Sequence, residues 1–233
     1  MLFSILILSP LYLLPATTQA FSDVASDDPY LHIYKHLADV GIMPATGEGF
    51  RPNDTLTRAQ GLTIAMRAGY IPVTEFDGDA GFTDVDPNEW YAPIINAALD
   101  QRLINNRNKN FRPTQTITKA EFLAFLFRAS KVDFNPYFGR TRGIALDVET
   151  ESWFAPHFAY AKKFQIAHLP ADNFYLPNKA LTRKEVAIMT FRQLRIFHGD
   201  DTTKTFVELQ AQIQRFLSLV KDGKHSEAEY QLH

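Results

Sequence analysis

The sequence has no cysteine at all, and that absence removes several chemistries together. A disulfide framework, a thiolate metal site, a cysteine nucleophile and a lipidated cysteine are all excluded, so packing must supply stability. Charge of either sign is also scarce in excess: 24 Lys and Arg against 26 Asp and Glu leave a net charge of −2. A nucleic-acid protein would show a basic surplus or stripe, so no nucleic-acid partner is expected. The chain carries no Gly-x-Ser-x-Gly, no phosphate-cradling glycine loop and no His-Glu-x-x-His, so the sequence offers no starting point for catalysis or for a cofactor, and neither is expected.

Long apolar runs are nearly absent as well. The exception is Leu2 to Leu14, interrupted by Ser4, Ser9 and Pro10 and followed by Thr18-Gln19-Ala20. Small residues at those two positions suit a signal peptidase, so residues 1–20 read as a secretory signal cleaved after Ala20, although no Lys or Arg precedes the apolar run. The stretch is short for a membrane span and is broken by Pro10 and Pro15. An exported protein of the cell envelope or cell surface is expected.

What is present is repetition. Leu56-Thr57-Arg58-Ala59-Gln60, Ile117-Thr118-Lys119-Ala120-Glu121 and Leu181-Thr182-Arg183-Lys184-Glu185 each open an apolar run. Thr followed three positions later by Glu or Gln is a capping box, which predicts a helix start at each copy. A cation on the first helical residue is mildly disfavoured by the helix dipole. Three equivalent ones, Arg58, Lys119 and Arg183, call for an anionic ligand or a paired carboxylate.

Two further landmarks recur in the same order, roughly every 60 residues. The opening motif is Phe21-Ser22-Asp23-Val24, Phe82-Thr83-Asp84-Val85 and the weaker Ala145-Leu146-Asp147-Val148. The turn motif is Phe50-Arg51-Pro52-Asn53, Phe111-Arg112-Pro113-Thr114 and Tyr175-Leu176-Pro177-Asn178. Between them, Trp90-Tyr91-Ala92, Trp153-Phe154-Ala155 and Pro29-Tyr30-Leu31 lead into an amphipathic helix of about four turns. The first copy ends at Gly41, suited to a left-handed cap. Arg102 and Gln165 stand there in the other two, which predicts a different ending. Each unit is therefore helix, loop, helix, in an all-α chain. The units span 21–70, 82–131 and 144–197, and Phe206, Leu209, Ile213, Phe216 and Val220 mark an amphipathic helix with a polar tail at 203–233.

This combination, Phe-x-Asp-Val, Trp before a helix, Phe-x-Pro and Thr-Arg-Ala-Glu, resembles the S-layer homology (SLH) family over residues 21–197. The resemblance implies three repeats packed as a pseudo-threefold bundle. It also implies grooves that bind an acidic, often pyruvylated, secondary cell-wall polysaccharide or other acidic envelope glycan. In that family the arginine of the capping motif is the main contact, assisted by the opening aspartate and a loop glycine. Carried over, the ligand set is Arg58, Lys119 and Arg183 with Asp23, Asp84 and Asp147. Gln60 and Lys184 depart from the motif, and loop glycines Gly47 and Gly49 occur only in the first unit.

The residues leave alternatives open. The cations could instead pair with the opening aspartates and tie neighbouring units, although surface ion pairs contribute only about 0–1 kcal/mol. Trp90 and Trp153 could stack on a sugar and belong to the candidate ligand set, yet an aromatic at a helix start is more often a core plug, and packing is the expectation. His32 and His36 are spaced as metal ligands, but a neighbouring Glu and a third ligand are missing. Asp77, Asp79, Asp84, Asp86 and Glu89 lack the spacing of a calcium loop. No metal is expected. The stripe at 203–233 reads first as packing on the repeat body and second as a surface for self-association or a protein partner. The rival function is that of a structural or assembly protein of the envelope.

Overall fold

The computed structural model describes residues 21–47, 49–73 and 81–197; the predicted signal at 1–20 and the predicted helix at 203–233 lie outside them. The described residues form six helices, with isolated bridges and no strand. They alternate as α1 (Leu31–Asp39), α2 (Arg58–Ala68), α3 (Ala92–Asp100), α4 (Lys119–Ala129), α5 (Ala155–Lys163) and α6 (Arg183–Phe197). A 3-10 turn at Asn135–Tyr137 precedes α5.

Local chemistry sets the start of α2, α4 and α6. Thr57 and Thr118 accept from the N–H groups of Gln60 and Glu121, whose side chains accept from the threonine N–H in return. Thr182 and Glu185 make the same reciprocal pair. Each box satisfies two donors that a helix end leaves orphaned. The neighbouring orphans are met from another unit. Arg58 and Ala59 donate to the carbonyls of Gln115 and Pro113, Lys119 and Ala120 to Lys179 and Pro177, and Arg183 and Lys184 to Asp54 and Pro52. The relation therefore runs from unit one to two, two to three and three back to one.

A second ring lies just before the helices. Leu56 N–H donates to the Leu181 carbonyl (3.1 Å), Leu181 to Ile117 (3.1 Å) and Ile117 to Leu56 (2.9 Å). All three side chains are buried, at 2% exposure or less. Around them, α2 and α4 are buried on almost every side, and α1, α3 and α5 pack outside. Glycine sets the spacing of α2 against α4. A Cβ on Gly61 would lie 2.5 Å from Ile117 Cδ1, and one on Gly69 would lie 2.5 Å from the Ala129 carbonyl oxygen.

Three expectations change. The outer helices have nine residues each, so they are nearer two and a half turns than four. The apolar pattern misled because burial continues past the helix ends, at Ile42 and Met43, Leu103 and Ile104, and Ile166 and Ala167. Nor do the helices end differently: Gly41, Arg102 and Gln165 all take positive φ, at 74°, 59° and 55°. The side chains at Arg102 and Gln165 accept the strain because the N–H groups of the next residues return to the helix, Leu103 to Ala98 and Ile166 to Ala161. The tryptophans are not core plugs. Trp90 and Trp153 are 54% and 57% exposed, standing edge-on to Tyr91 and Phe154 at 5.5 Å, while Tyr91 is buried and Phe154 half-buried.

Candidate functional site: three seams between units

The turn motif is the centre of each seam. Arg51, Arg112 and Leu176, the middle residues of the three turns, have φ of 59°, 64° and 55°. This backbone aims two successive N–H groups at one point, a concavity that suits an anion. The opening aspartate fills it. Asp23 accepts from Phe50 and Arg51 (2.8 and 2.6 Å), Asp84 from Phe111 and Arg112 (2.8 and 2.7 Å), and Asp147 from Tyr175 and Leu176 (2.9 and 2.7 Å). Two bonds to a charged acceptor offset the strain of a positive φ. Gly49 has a separate steric reason: a Cβ there would fall 2.8 Å from the Asp23 carboxylate.

The other side of the same turn residue is held by the capping-motif cation of the preceding unit. Arg58 Nε donates to the Phe111 carbonyl (2.8 Å), Arg183 Nε to the Phe50 carbonyl (2.7 Å), and Lys119 Nζ to the Tyr175 carbonyl. Each seam thus brings together a cation and an aspartate from different units: Arg58 with Asp84, Lys119 with Asp147, and Arg183 with Asp23. They meet through one residue rather than as an ion pair. The Arg58 and Arg183 guanidinium carbons each lie 4.9 Å from a ring centroid, of Phe111 and Phe50 respectively, which supports a planar cation from its face.

The three cations differ in their remaining neighbours. Arg58 is 8% exposed and Nη1 pairs with Glu121 at 2.8 Å, and Glu121 also meets Arg112 at 2.9 Å. Burial pulls the Arg58 guanidinium below its ordinary pKa, and Glu121 pushes it back. Burial pushes Glu121 up, but the Thr118 N–H and Arg58 override it and leave the carboxyl below its usual range. Lys119 is half-buried, lowered by burial and raised by Glu185, which in turn holds Lys179 at 2.9 Å. Arg183 is half-buried and donates a second bond to the Pro44 carbonyl (3.2 Å). Among the described residues no carboxylate lies within ion-pair distance of it.

The seams also differ at their rims, which sequence reasoning missed. Leu146, Phe174 and Leu176 are exposed beside Asp147, where the second unit has Thr83, Asn110 and Arg112. His32 and His36 stand edge-on to Phe191 at 6.0 and 5.2 Å, which accounts for their spacing as a packing feature between α1 and α6.

Residues 20–60 and 81–123 match the family model of the S-layer homology domain. These two segments are S-layer homology domains, which are in general cell-wall anchoring modules that bind secondary cell-wall polymers. The chain is 30% identical over 149 residues to an amylopullulanase of Thermoanaerobacterium thermosulfurigenes, covering 63% of this chain and 8% of that protein. It is 28% identical over 149 residues to exoglucanase XynX of Acetivibrio thermocellus, again 63% of this chain and 13% of the relative. It is 36% identical over 76 residues to endo-1,4-beta-xylanase A of Thermoanaerobacterium saccharolyticum, 33% of this chain and 6% of the relative. The chain therefore spans only a small part of each relative, and the family and these relatives point to the cell envelope.

Proposed function

We propose that this chain is an exported, non-catalytic anchor. Its three repeats, at 21–70, 82–131 and 144–197, pack as a pseudo-threefold bundle and hold an acidic secondary cell-wall polysaccharide, pyruvylated polymers included. The observation that carries this reading is the repeated seam, in which a capping-motif cation lies against the next unit's turn. A half-buried guanidinium held by its Nε and lying on a phenyl face is oriented for a carboxylate with little loss of freedom. The opening aspartates are positioning residues, since both their oxygens serve the turn. Trp90 and Trp153, exposed at the outer-helix starts, offer flat apolar faces for a sugar ring. Contacts at several seams would combine through effective concentration.

Co-sedimentation with cell-wall sacculi tests this. The full chain is expected to pellet with intact sacculi, and to stay in solution when the secondary polymer has been extracted with acid. Pelleting unchanged by extraction would overturn the reading.

The exposed Phe138, Leu146, Phe174 and Leu176 favour a second reading, an assembly protein of the envelope that makes protein contacts. Light scattering of the chain with and without residues 203–233 separates the two: an oligomer that needs this segment supports assembly.

A further inference from the structure

The two linkers between units differ in charge. The first has Glu75, Asp77 and Asp79 and no cation, whereas the second has Lys131, Arg140 and Arg142 against Asp133 alone. The second is also pinned along its length. Phe134 and Tyr137 pack on His157 and Tyr160 at 4.5 and 5.5 Å. The Phe138 and Arg140 N–H groups donate to the Phe134 and Tyr137 carbonyls, and Lys162 Nζ donates to the Gly143 and Ile144 carbonyls (3.0 and 2.7 Å). Between these pins Thr141 is buried, while Phe138, Arg140, Arg142 and Leu146 are exposed, Phe138 and Leu146 by 66% and 68%. The Leu146 N–H donates to the Asn173 carbonyl, which brings the exposed Phe174 next to the same loop. Lys163 lies over the Tyr137 ring at 5.6 Å. Asp133 accepts from the Asn135 N–H, and none of Arg140, Arg142, Lys162 and Lys163 forms an ion pair with a described carboxylate.

We propose that this loop is a membrane-docking surface whose partner is an anionic phospholipid bilayer. Large apolar side chains interleaved with cations that meet no carboxylate suit a layered partner. Anionic headgroups would meet Arg140, Arg142, Lys162 and Lys163, and the acyl boundary beneath would take Phe138 and Leu146. An acidic polysaccharide supplies the charge but has no hydrocarbon layer for those two side chains. The pinned backbone already holds them outward, so docking requires little further ordering of the chain. Among the described residues no helix is long and apolar enough to cross a membrane, so the contact is with the bilayer surface. Phe138, Arg140 and Arg142 belong to none of the three seams, and the proposal is independent of the glycan-anchor reading.

The test is co-sedimentation of residues 21–233, which carry the whole ring of units, with vesicles of phosphatidylcholine alone or mixed equally with phosphatidylglycerol. Binding is expected to the mixed vesicles, to weaken as salt is added, and to be at least about tenfold weaker to phosphatidylcholine alone. Arg140→Ser with Arg142→Ser should weaken binding to the mixed vesicles about tenfold or more, and Phe138→Ser should weaken it at low and high salt alike. All three side chains are exposed, so these variants should keep the parent's melting temperature and its pelleting with sacculi. Equal binding to both kinds of vesicle, no binding to either, or binding unchanged in the variants would overturn the proposal. Binding that needs the arginines but not Phe138 would also overturn it, since it would mean a site for anions without insertion into lipid. A concentration-dependent oligomer abolished by Phe138→Ser, with no vesicle binding, would replace the bilayer by a second copy of the chain.

Discussion

Arg58 and Arg183 occupy the same helix position, bond through Nε to the same turn carbonyl and lie over the same phenyl face. One is nevertheless sealed against Glu121 at 8% exposure, and the other is half-buried with no carboxylate partner among the described residues. The difference traces to the acid that each one meets: Glu121 pairs with Arg58 directly, whereas Asp54, paired with Arg51, acts on Arg183 only through space. A repeat can thus keep its architecture in every unit while charge assigns the seams to different work. The first seam is closed by an ion pair, and the third leaves its guanidinium half-buried.

The largest effect that should break this contrast is on stability. Arg58→Ala leaves Glu121 largely buried without its main cation and is expected to cost about 3 kcal/mol or more. Arg183→Ala removes two bonds to carbonyls but strands no charge, and is expected to cost about 1–2 kcal/mol. Urea unfolding of both variants compares them; equal losses would mean that Glu121 contributes nothing to the seam.

Acid should distinguish the seams by about 1–2 kcal/mol for each of two histidines, one half-buried and one buried. His36 and His157 are both lowered to about 4, mainly by burial, and both therefore fold neutral. The unfolded chain takes up protons from about pH 6.5, so stability held above that pH is lost as pH falls towards 4. His36 faces Phe191 on α6, and His157 packs on Phe127 of α4. No described histidine lies between α2 and α3. Amide exchange should show α1 and α6 losing protection between pH 6.5 and 4.5 before the Arg58 seam does. Glu121, whose carboxyl is depressed, adds its loss only below about 4.5. A His36→Phe variant should flatten the upper part of the curve.

The smallest expected effect is at the tryptophans. Trp90→Ala should change stability by no more than about 0.5 kcal/mol, because the ring stands mostly in solvent. A melting curve suffices, and a loss several times larger would restore Trp90 to the core.

How legible this was in the sequence depends on distance along the chain. The capping boxes lie within four residues of sequence, so Thr57, Thr118 and Thr182 announce their helices without tertiary help. The aspartates and cations could be singled out by their recurrence. Their pairing could not, because Arg58 meets Asp84's turn and Arg183 meets Asp23's, and sequence order alone suggests no shift by one unit. The outer helices were read too long because the chain keeps burying side chains after the hydrogen-bond ladder stops, as at Leu103 and Ile104. The tryptophans were misread for a related reason: the inward position belongs to the residue that follows each of them. Positive φ at Arg102 and Gln165 left no mark, since neither side chain is chosen for that backbone.

The closed ring has a consequence in time as well as in space. Arg183 bonds to Phe50 and Pro44 across 133 and 139 residues, whereas the other seams span 53 and 56. Contacts of such sequence separation cost loop-closure entropy before they return any stability, and they slow folding. Units one and two can begin to associate as soon as both exist, but the last seam waits for α6. The repeat is therefore the unit of sequence, and the bonds between units are what close the ring. On the anchor reading proposed above, a chain that has not closed the ring would not yet present all of its seams to the wall.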